Sequence, residues 1–302
     1  MTDVDALIAQ LEGSPDLLGA LLEALPQARD LHPRGSEPYQ RLAELVRPEV
    51  ERRFQSPEPS PQPMGPFGEL VFPYHRMGAV DSLNLFDLDE LIIFSFYWAT
   101  RGRYARAADV GANLGLHSCL LARAGCEVRS YEPDPVHFEL LQSNLSANGC
   151  ERVAPVRRAI SSAPGQREFV RVLGNTTGSH LSGAKANPYG ELERFEVEVE
   201  GVGELLAWAD LLKIDAEGEE AEILCGTRAE DWVGKDALIE VGSSENARAI
   251  WEHFREGELR LFAQKLAWAR VVRLEDMPTS YRDGTLFLTR RAEMPWSAVD
   301  GA

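Results

Sequence analysis

The sequence predicts an α/β protein: a mostly parallel sheet of seven strands with helices on both faces, preceded by a helical N-terminal extension. Three observations carry this. From Ala105 onward, short apolar runs alternate with helical stretches, the pattern of a parallel sheet with crossover helices. Before Phe54 the apolar residues recur at helical and not at strand spacing. The 302 residues, 44% hydrophobic, suffice for one sizeable core and a second small one.

Taken in order, Leu7, Ile8, Leu11, Leu17, Leu18, Leu21, Leu22 and Leu25 form an apolar stripe, and a second helical pattern runs over 37–54. Residues 1–55 therefore read as a helical extension. Its stripe needs a cover, either the domain that follows or a twin subunit, which would make a homodimer through these helices. Prolines at 57, 59, 61, 63 and 66 favour extended polyproline geometry, so 56–68 reads as a linker and 69–302 as the main domain. The run Phe94, Phe96, Tyr97 and Trp98 reads as the core face of a helix before the first sheet strand. Strands are expected near 106–110, 127–131, 153–158, 211–215, 237–241, 259–264 and 284–289, and helices over 115–124, 134–147, 218–225 and 245–256. A polar stretch over 161–204 ends in the alternating Phe195-Glu196-Val197-Glu198-Val199 and reads as an inserted loop and β-ribbon over the carboxyl edge of the sheet.

Composition excludes several classes. With 31 Lys+Arg against 48 Asp+Glu, the net charge of −17 opposes binding to nucleic acid or to an anionic membrane. Cys119, Cys126, Cys150 and Cys225 form no CxxC pair and no zinc-site spacing with histidine, so they read as buried free thiols of a reducing compartment. The acidic start Met1 to Asp5 is unlike a secretory signal, and the longest apolar run, Leu91 to Ala99, is far short of the roughly 20 residues that span a bilayer. A cytoplasmic protein is expected.

The most informative segment is Asp109-Val110-Gly111-Ala112-Asn113-Leu114-Gly115-Leu116-His117-Ser118, a strand that turns through glycines into a helix. Open α/β sheets bind ligands outside the carboxyl ends of their strands, which puts a ligand at this turn. Gly111 lets the backbone pass close to it and Gly115 allows tight helix packing. The dinucleotide pattern GxGxxG and the triphosphate pattern GxxxxGK[ST] are both absent. Asp109 instead places a carboxylate at the turn, suited to a ligand bearing an ammonium group. Glu132, 21 residues after Gly111, ends the second strand, where an acid can accept both ribose hydroxyls. The combination points to S-adenosyl-L-methionine. Asn113 either orients the loop or contacts the ligand, and His117 reads as structural.

These segments, with Tyr131-Glu132-Pro133-Asp134 and Leu212-Lys213-Ile214-Asp215-Ala216-Glu217-Gly218-Glu219-Glu220, resemble the FkbM family of class I methyltransferases over roughly residues 70 to 290. Asn175-Thr176-Thr177-Gly178-Ser179-His180-Leu181 is similar to the family's Gly-Ser-Ser loop, with His180 where a second serine is common. The resemblance implies a Rossmann-like class I methyltransferase sheet, its last strand antiparallel, and O-methylation of a hydroxyl on a sugar or natural product. The expected cofactor-binding residues are Asp109, Gly111, Asn113, Gly115, Glu132, Pro133 and Asp215. The expected catalytic residues are His180 and Asp215, alternative general bases, with Lys213 and Glu240 on the same rim. Asp215, Glu217 and Glu240 offer oxygen ligands for Mg²⁺ if they converge, but no metal is assigned. The expected acceptor is a small hydroxylated molecule, most readily a sugar or glycosylated metabolite. Competing expectations are O- or N-methylation of a polyketide or peptide, and a scaffold that binds the cofactor without turnover.

Overall fold

A computed structural model describes residues 2–185 and 190–297. Met1 and the stretches 186–189 and 298–302, which the expected main domain and its insertion include in part, lie outside the described residues.

Helices α1 (Val4–Glu12), α2 (Leu17–Ala24) and α3 (Glu37–Phe54) form the extension, each opened by a side-chain cap: Asp3, Asp16 and Ser36. Helix α4 (Leu88–Ala99) leads into strand β1 (Arg106–Val110). Strands β2 (Glu127–Tyr131) and β3 (Val153–Val156) follow, joined by α5 (Leu116–Arg123) and α6 (Pro135–Ala147). A smaller sheet comprises β4 (Ala159–Ser161), β5 (Gly165–Val172), β6 (His180–Leu181) and β7 (Leu192–Gly201), in the order β6-β5-β7-β4. The main sheet then resumes with α7 (Val202–Trp208), β8 (Leu211–Ile214), α8 (Glu220–Cys225), β9 (Asp236–Glu240), α9 (Ser244–Phe254), β10 (Arg260–Ala263), β11 (Ala269–Arg270) and β12 (Thr285–Thr289).

The main sheet has the order β11-β10-β12-β9-β8-β1-β2-β3. Strands β9, β8, β1, β2 and β3 are mutually parallel, and β12 runs antiparallel between β9 and β10. The seven expected strands are all present, and the two-residue β11 is added at one edge as an antiparallel partner of β10. Two residues carry no apolar alternation, so nothing in the sequence marks it. Strand β1 is buried on both faces: Ala107 joins the core under α4, α5 and α6, and Ala108 the core under α7, α8 and α9.

The extension belongs to the first of these cores. Leu11, Leu18, Leu21, Leu22 and Leu25 are fully buried in the same cluster as Leu91, Phe94 and Leu116. The apolar stripe thus finds its cover within the chain. A second attachment runs to the far end of the sheet, where the Trp268 indole donates to His32 Nδ1 at 2.7 Å and Gln264 donates to the His32 carbonyl. Burial pushes the His32 pKa down to about 3, so this histidine stays neutral, its Nε2–H donating to Leu25 O. The proline segment therefore joins two parts of one core, because the stripe on either side of it is too apolar to face water. Cys119 and Cys126 are buried free thiols, whereas Cys150 and Cys225 are partly exposed. Among the described residues, no helix is long and apolar enough to cross a membrane.

Candidate active site

The carboxyl ends of β9, β8, β1 and β2 open onto a cavity of about 440 Å³ whose opposite wall is the smaller sheet. The turn after β1 makes its floor. Gly111, at φ +72°, and Ala112 both donate their N–H to the Tyr131 carbonyl, at 3.0 and 2.9 Å. A Cβ at Gly111 would collide with the Asp215 carbonyl oxygen, so the β1 and β8 turns approach this closely only because the residue is glycine. Gly115, at φ +83°, brings α5 against α6, with Leu141 Cγ 3.1 Å from where a Cβ would stand.

Asn113 sits in the left-handed region at φ +51°. Its N–H donates to Glu132 Oε2 at 2.8 Å, and the Asp134 N–H donates to Oε1 at 2.8 Å, so both carboxyl oxygens of Glu132 are pinned by backbone at the cavity wall. Burial pushes the Glu132 pKa up to about 8 against the pull of these two bonds. Asn113 Oδ1 is buried without a hydrogen-bond partner and belongs to a residue that lines the same cavity, as does Pro133. Glu132 and Asn113 both line the cavity, so they bring hydrogen-bond acceptors to its wall.

Asp109 departs from its expected place on the rim. It is fully buried, its Oδ2 accepting from Ser118 at 2.6 Å, and it is not among the residues lining the cavity. Since side chains alternate along β1, Asp109 points into the core side that carries α5, where a serine and a lysine take up its charge. That lysine is Lys213, whose Nζ lies 3.8 Å from Asp109 Oδ1 and 3.2 Å from Asp215 Oδ2. Burial opposes its charge, but the carboxylates of Asp215, Asp109, Glu90 and Glu240 outweigh that and push its pKa up. Lys213 lines a smaller chamber of about 150 Å³ next to the cavity, and Glu240 and Glu90 line both spaces.

On the opposite wall, His180 is buried in β6, its Nδ1 3.0 Å from the Gly178 carbonyl. A carbonyl only accepts, so Nδ1 carries the proton and Nε2 the lone pair. Burial lowers the His180 pKa. Asp215 also lines the cavity, within reach of Lys213. Glu217, in the left-handed region at φ +49°, accepts from Lys185 Nζ at 2.5 Å and from the Tyr281 hydroxyl at 2.7 Å. Lys185 also donates to the Gly178 carbonyl, which ties the 175–185 loop to the turn after β8. Among the described residues, no group of three His, Cys, Asp or Glu side chains is placed to hold a metal ion; Asp215 and Glu217 are each drawn to a lysine instead.

Sequence reasoning missed Glu90, Lys185 and Tyr281. Glu90 has the ordinary look of an acid in a helix's first turn. Lys185 and Tyr281 lie in loops without any motif. His117, expected to be structural, is held between the Tyr97 hydroxyl and Glu90, at 2.9 Å to each.

The Methyltransferase FkbM domain matches residues 109–264, just over half of the chain. The methyltransferase sdnD of Sordaria araneosa is 29% identical over 157 residues, covering 41% of this chain and 61% of that protein. The chain thus spans about three fifths of the curated relative's length. Among solved structures, the chain is similar to a methyltransferase FkbM from Methylobacillus flagellatus KT, with 15% identity and a TM-score of 0.36, covering 68% of this chain and 52% of that one. It is also similar to a precorrin-6y C5,15-methyltransferase from Geobacter metallireducens, with 9% identity and a TM-score of 0.36, covering 67% and 85%. On the match through the glycine turn and both following sheet segments, the chain belongs to the FkbM family of methyltransferases.

Proposed function

We propose that the chain transfers a methyl group from S-adenosyl-L-methionine to a hydroxyl of a small acceptor, a sugar or glycosylated metabolite. The observation that carries this reading is Glu132, fixed by two backbone N–H groups at the end of β2 beside the unpartnered Asn113 Oδ1. When bound, the cofactor supplies a methyl group made electrophilic by a positive sulfur. Glu132 would hold the ribose hydroxyls, with Asn113 and Pro133 beside it and Gly111 keeping the floor clear. Polar groups of the facing wall, Asn175, Thr177 and Ser179, suit a polyhydroxylated acceptor. His180 is the base we assign: its geometry leaves Nε2 unprotonated and burial keeps it neutral at pH 7. Asp215 orients the acceptor hydroxyl. Positioning and base catalysis then divide the work, the base contributing about 10²–10⁴-fold.

Met77, Val80, Leu85 and Phe169 add an apolar side to the same wall, which favours a second reading in which the acceptor is a polyketide or peptide. Calorimetry with S-adenosylhomocysteine tests the cofactor assignment. Glu132→Ala should weaken binding by roughly 10- to 100-fold, the loss of hydrogen bonds to two hydroxyls. Unchanged affinity would overturn it.

A further inference from the structure

Arg34, in the loop before α3, and Tyr281, in the loop before β12, both lie outside the family's domain, yet they meet beside the cavity. Arg34 Nη1 donates to the Tyr281 carbonyl at 3.0 Å and lies 2.8 Å from Oδ2 of Asp89, in the first turn of α4. Burial pushes the Asp89 pKa up to about 6, so its carboxylate is charged at neutral pH and holds the guanidinium. Asp89 also accepts from Gln264 at 2.7 Å, and Gln264 donates to the His32 carbonyl, two residues before Arg34. The extension thus presents Arg34 from a docked loop.

The ring of Tyr281 lies against Gly242, just past β9, where a Cβ would stand 2.6 Å from the Tyr281 hydroxyl oxygen. Its hydroxyl donates to Glu217 at 2.7 Å, and burial together with the Glu217 charge keeps the proton on it by pushing its pKa up. Glu217 also takes Lys185, and Lys185 and the His180 Nδ1–H share the Gly178 carbonyl, at 3.2 and 3.0 Å. Tyr281, Glu217, Lys185, Gly178 and His180 all line the cavity. Among the described residues, the bonds from Arg34 and to Glu217 are the hydrogen bonds that tie the tip 279–283 to the rest of the chain, the others running within the tip itself. Cutting either bond leaves the tip with one such anchor.

We propose that Arg34 is a positioning residue of the acceptor wall: by holding the Tyr281 backbone it keeps the Tyr281 hydroxyl on Glu217, and so steadies the loop that carries His180. The N-terminal extension then completes the acceptor side of the cavity as well as the core. This rests on the methyl-transfer reading above and adds to it a residue that acts through Tyr281. The cofactor wall is independent of this latch, because backbone bonds within 109–134 hold it.

The test uses the full chain at neutral pH, labelled with fluorotyrosine for fluorine NMR, the Tyr281 line being the one lost in Tyr281→Phe. Hydrogen exchange of the 175–185 peptide is read in parallel, and S-adenosylhomocysteine affinity by calorimetry. Arg34→Ala should shift or split the Tyr281 line and speed exchange of 175–185 roughly tenfold, the effect of one charge-assisted hydrogen bond on a local opening, with cofactor-product affinity kept within a few-fold. Arg34→Lys, which retains a donor and the charge, should restore most of both signals. Arg34→Ala combined with Tyr281→Phe should exchange no faster than Tyr281→Phe alone, since both cut one path. A Tyr281 line and 175–185 exchange that stay at the parent values in Arg34→Ala overturn the proposal, as does an equal loosening of 109–134, which would make Arg34 a general support. Tyr281→Phe keeps the Arg34 contacts and decides independently: if it leaves exchange of 175–185 unchanged, the proposal falls even where Arg34→Ala does not fold. Failure of S-adenosylhomocysteine to bind the parent chain would instead remove the methyl-transfer reading, while the NMR and exchange results would still report on the latch.

Discussion

The cavity wall formed by residues 109–134 and the wall formed by the 175–185 loop, the turn after β8, Glu240 and Tyr281 differ in what holds them. On the first, backbone does most of the work: two N–H groups on Tyr131 O and two on Glu132, all within one βαβ unit. On the second, side chains from distant segments reach one another. Arg34 donates to the Tyr281 carbonyl, the Tyr281 hydroxyl to Glu217, and Lys185 to both Glu217 and Gly178. Backbone geometry is written by local residue types, so the first wall has one form. The second depends on charges that substitution can change singly, and it is where acceptor choice would be set.

The contrast can be broken from either side. The largest expected effect is on turnover: His180→Ala should lower methyl transfer by about 10²–10⁴-fold with S-adenosylhomocysteine affinity unchanged. If His180→Ala and Asp215→Asn both stay within a few-fold of the parent in a labelled-methyl assay, base catalysis by either is untenable. Next comes Gly111→Ala, which forces a Cβ into the Asp215 carbonyl at a positive φ and should cost about 3 kcal/mol or more in thermal unfolding. A loss under about 0.5 kcal/mol would show that the first wall is more pliant than described.

A third prediction concerns pH. The folded Glu132 holds its proton up to about pH 8, whereas an unfolded glutamate releases it near 4.5. The folded state therefore binds more protons across that window. Stability of the unliganded chain should fall as pH rises from about 5 to 8, with a slope on the order of 1 kcal/mol per unit from this group. Glu220, pushed by burial up to about 7, acts in the same direction. Glu132→Gln should flatten the slope in denaturant titrations at several pH values, and an unchanged slope would show that the group does not titrate there. The smallest effect belongs to the second wall. Tyr281→Phe removes one hydrogen bond to Glu217 and should cost about 1 kcal/mol of stability, leaving S-adenosylhomocysteine affinity intact. A lost cofactor affinity in that variant would mean that the two walls are coupled.

Much of this molecule is legible in its residues. The alternation of apolar runs and helical stretches after Ala105 specifies the parallel strands, because a strand buried on both faces must be continuously apolar. Gly111, Gly115 and Glu132 are readable since a positive φ and an acid at a strand end are local requirements that few residue types meet. Asp109 shows the limit: the motif marks its position, but that its side chain turns into the core beside Ser118 of α5 and Lys213 of β8 is seen only in the folded chain. The same holds for the 56–68 segment, whose prolines read as a boundary although the leucines before it pack on α4.

The sequence by itself determined the strand order's raw material, the glycine turn and the identity of the acid that ends β2, all consequences of neighbouring residues. Only the tertiary structure decided that Lys185, Glu217 and Tyr281 clasp one another and that the extension completes the core. The clasp depends on side chains 32 and 64 residues apart coming within hydrogen-bond distance, the core on apolar faces from distant segments meeting, and no local pattern carries that information.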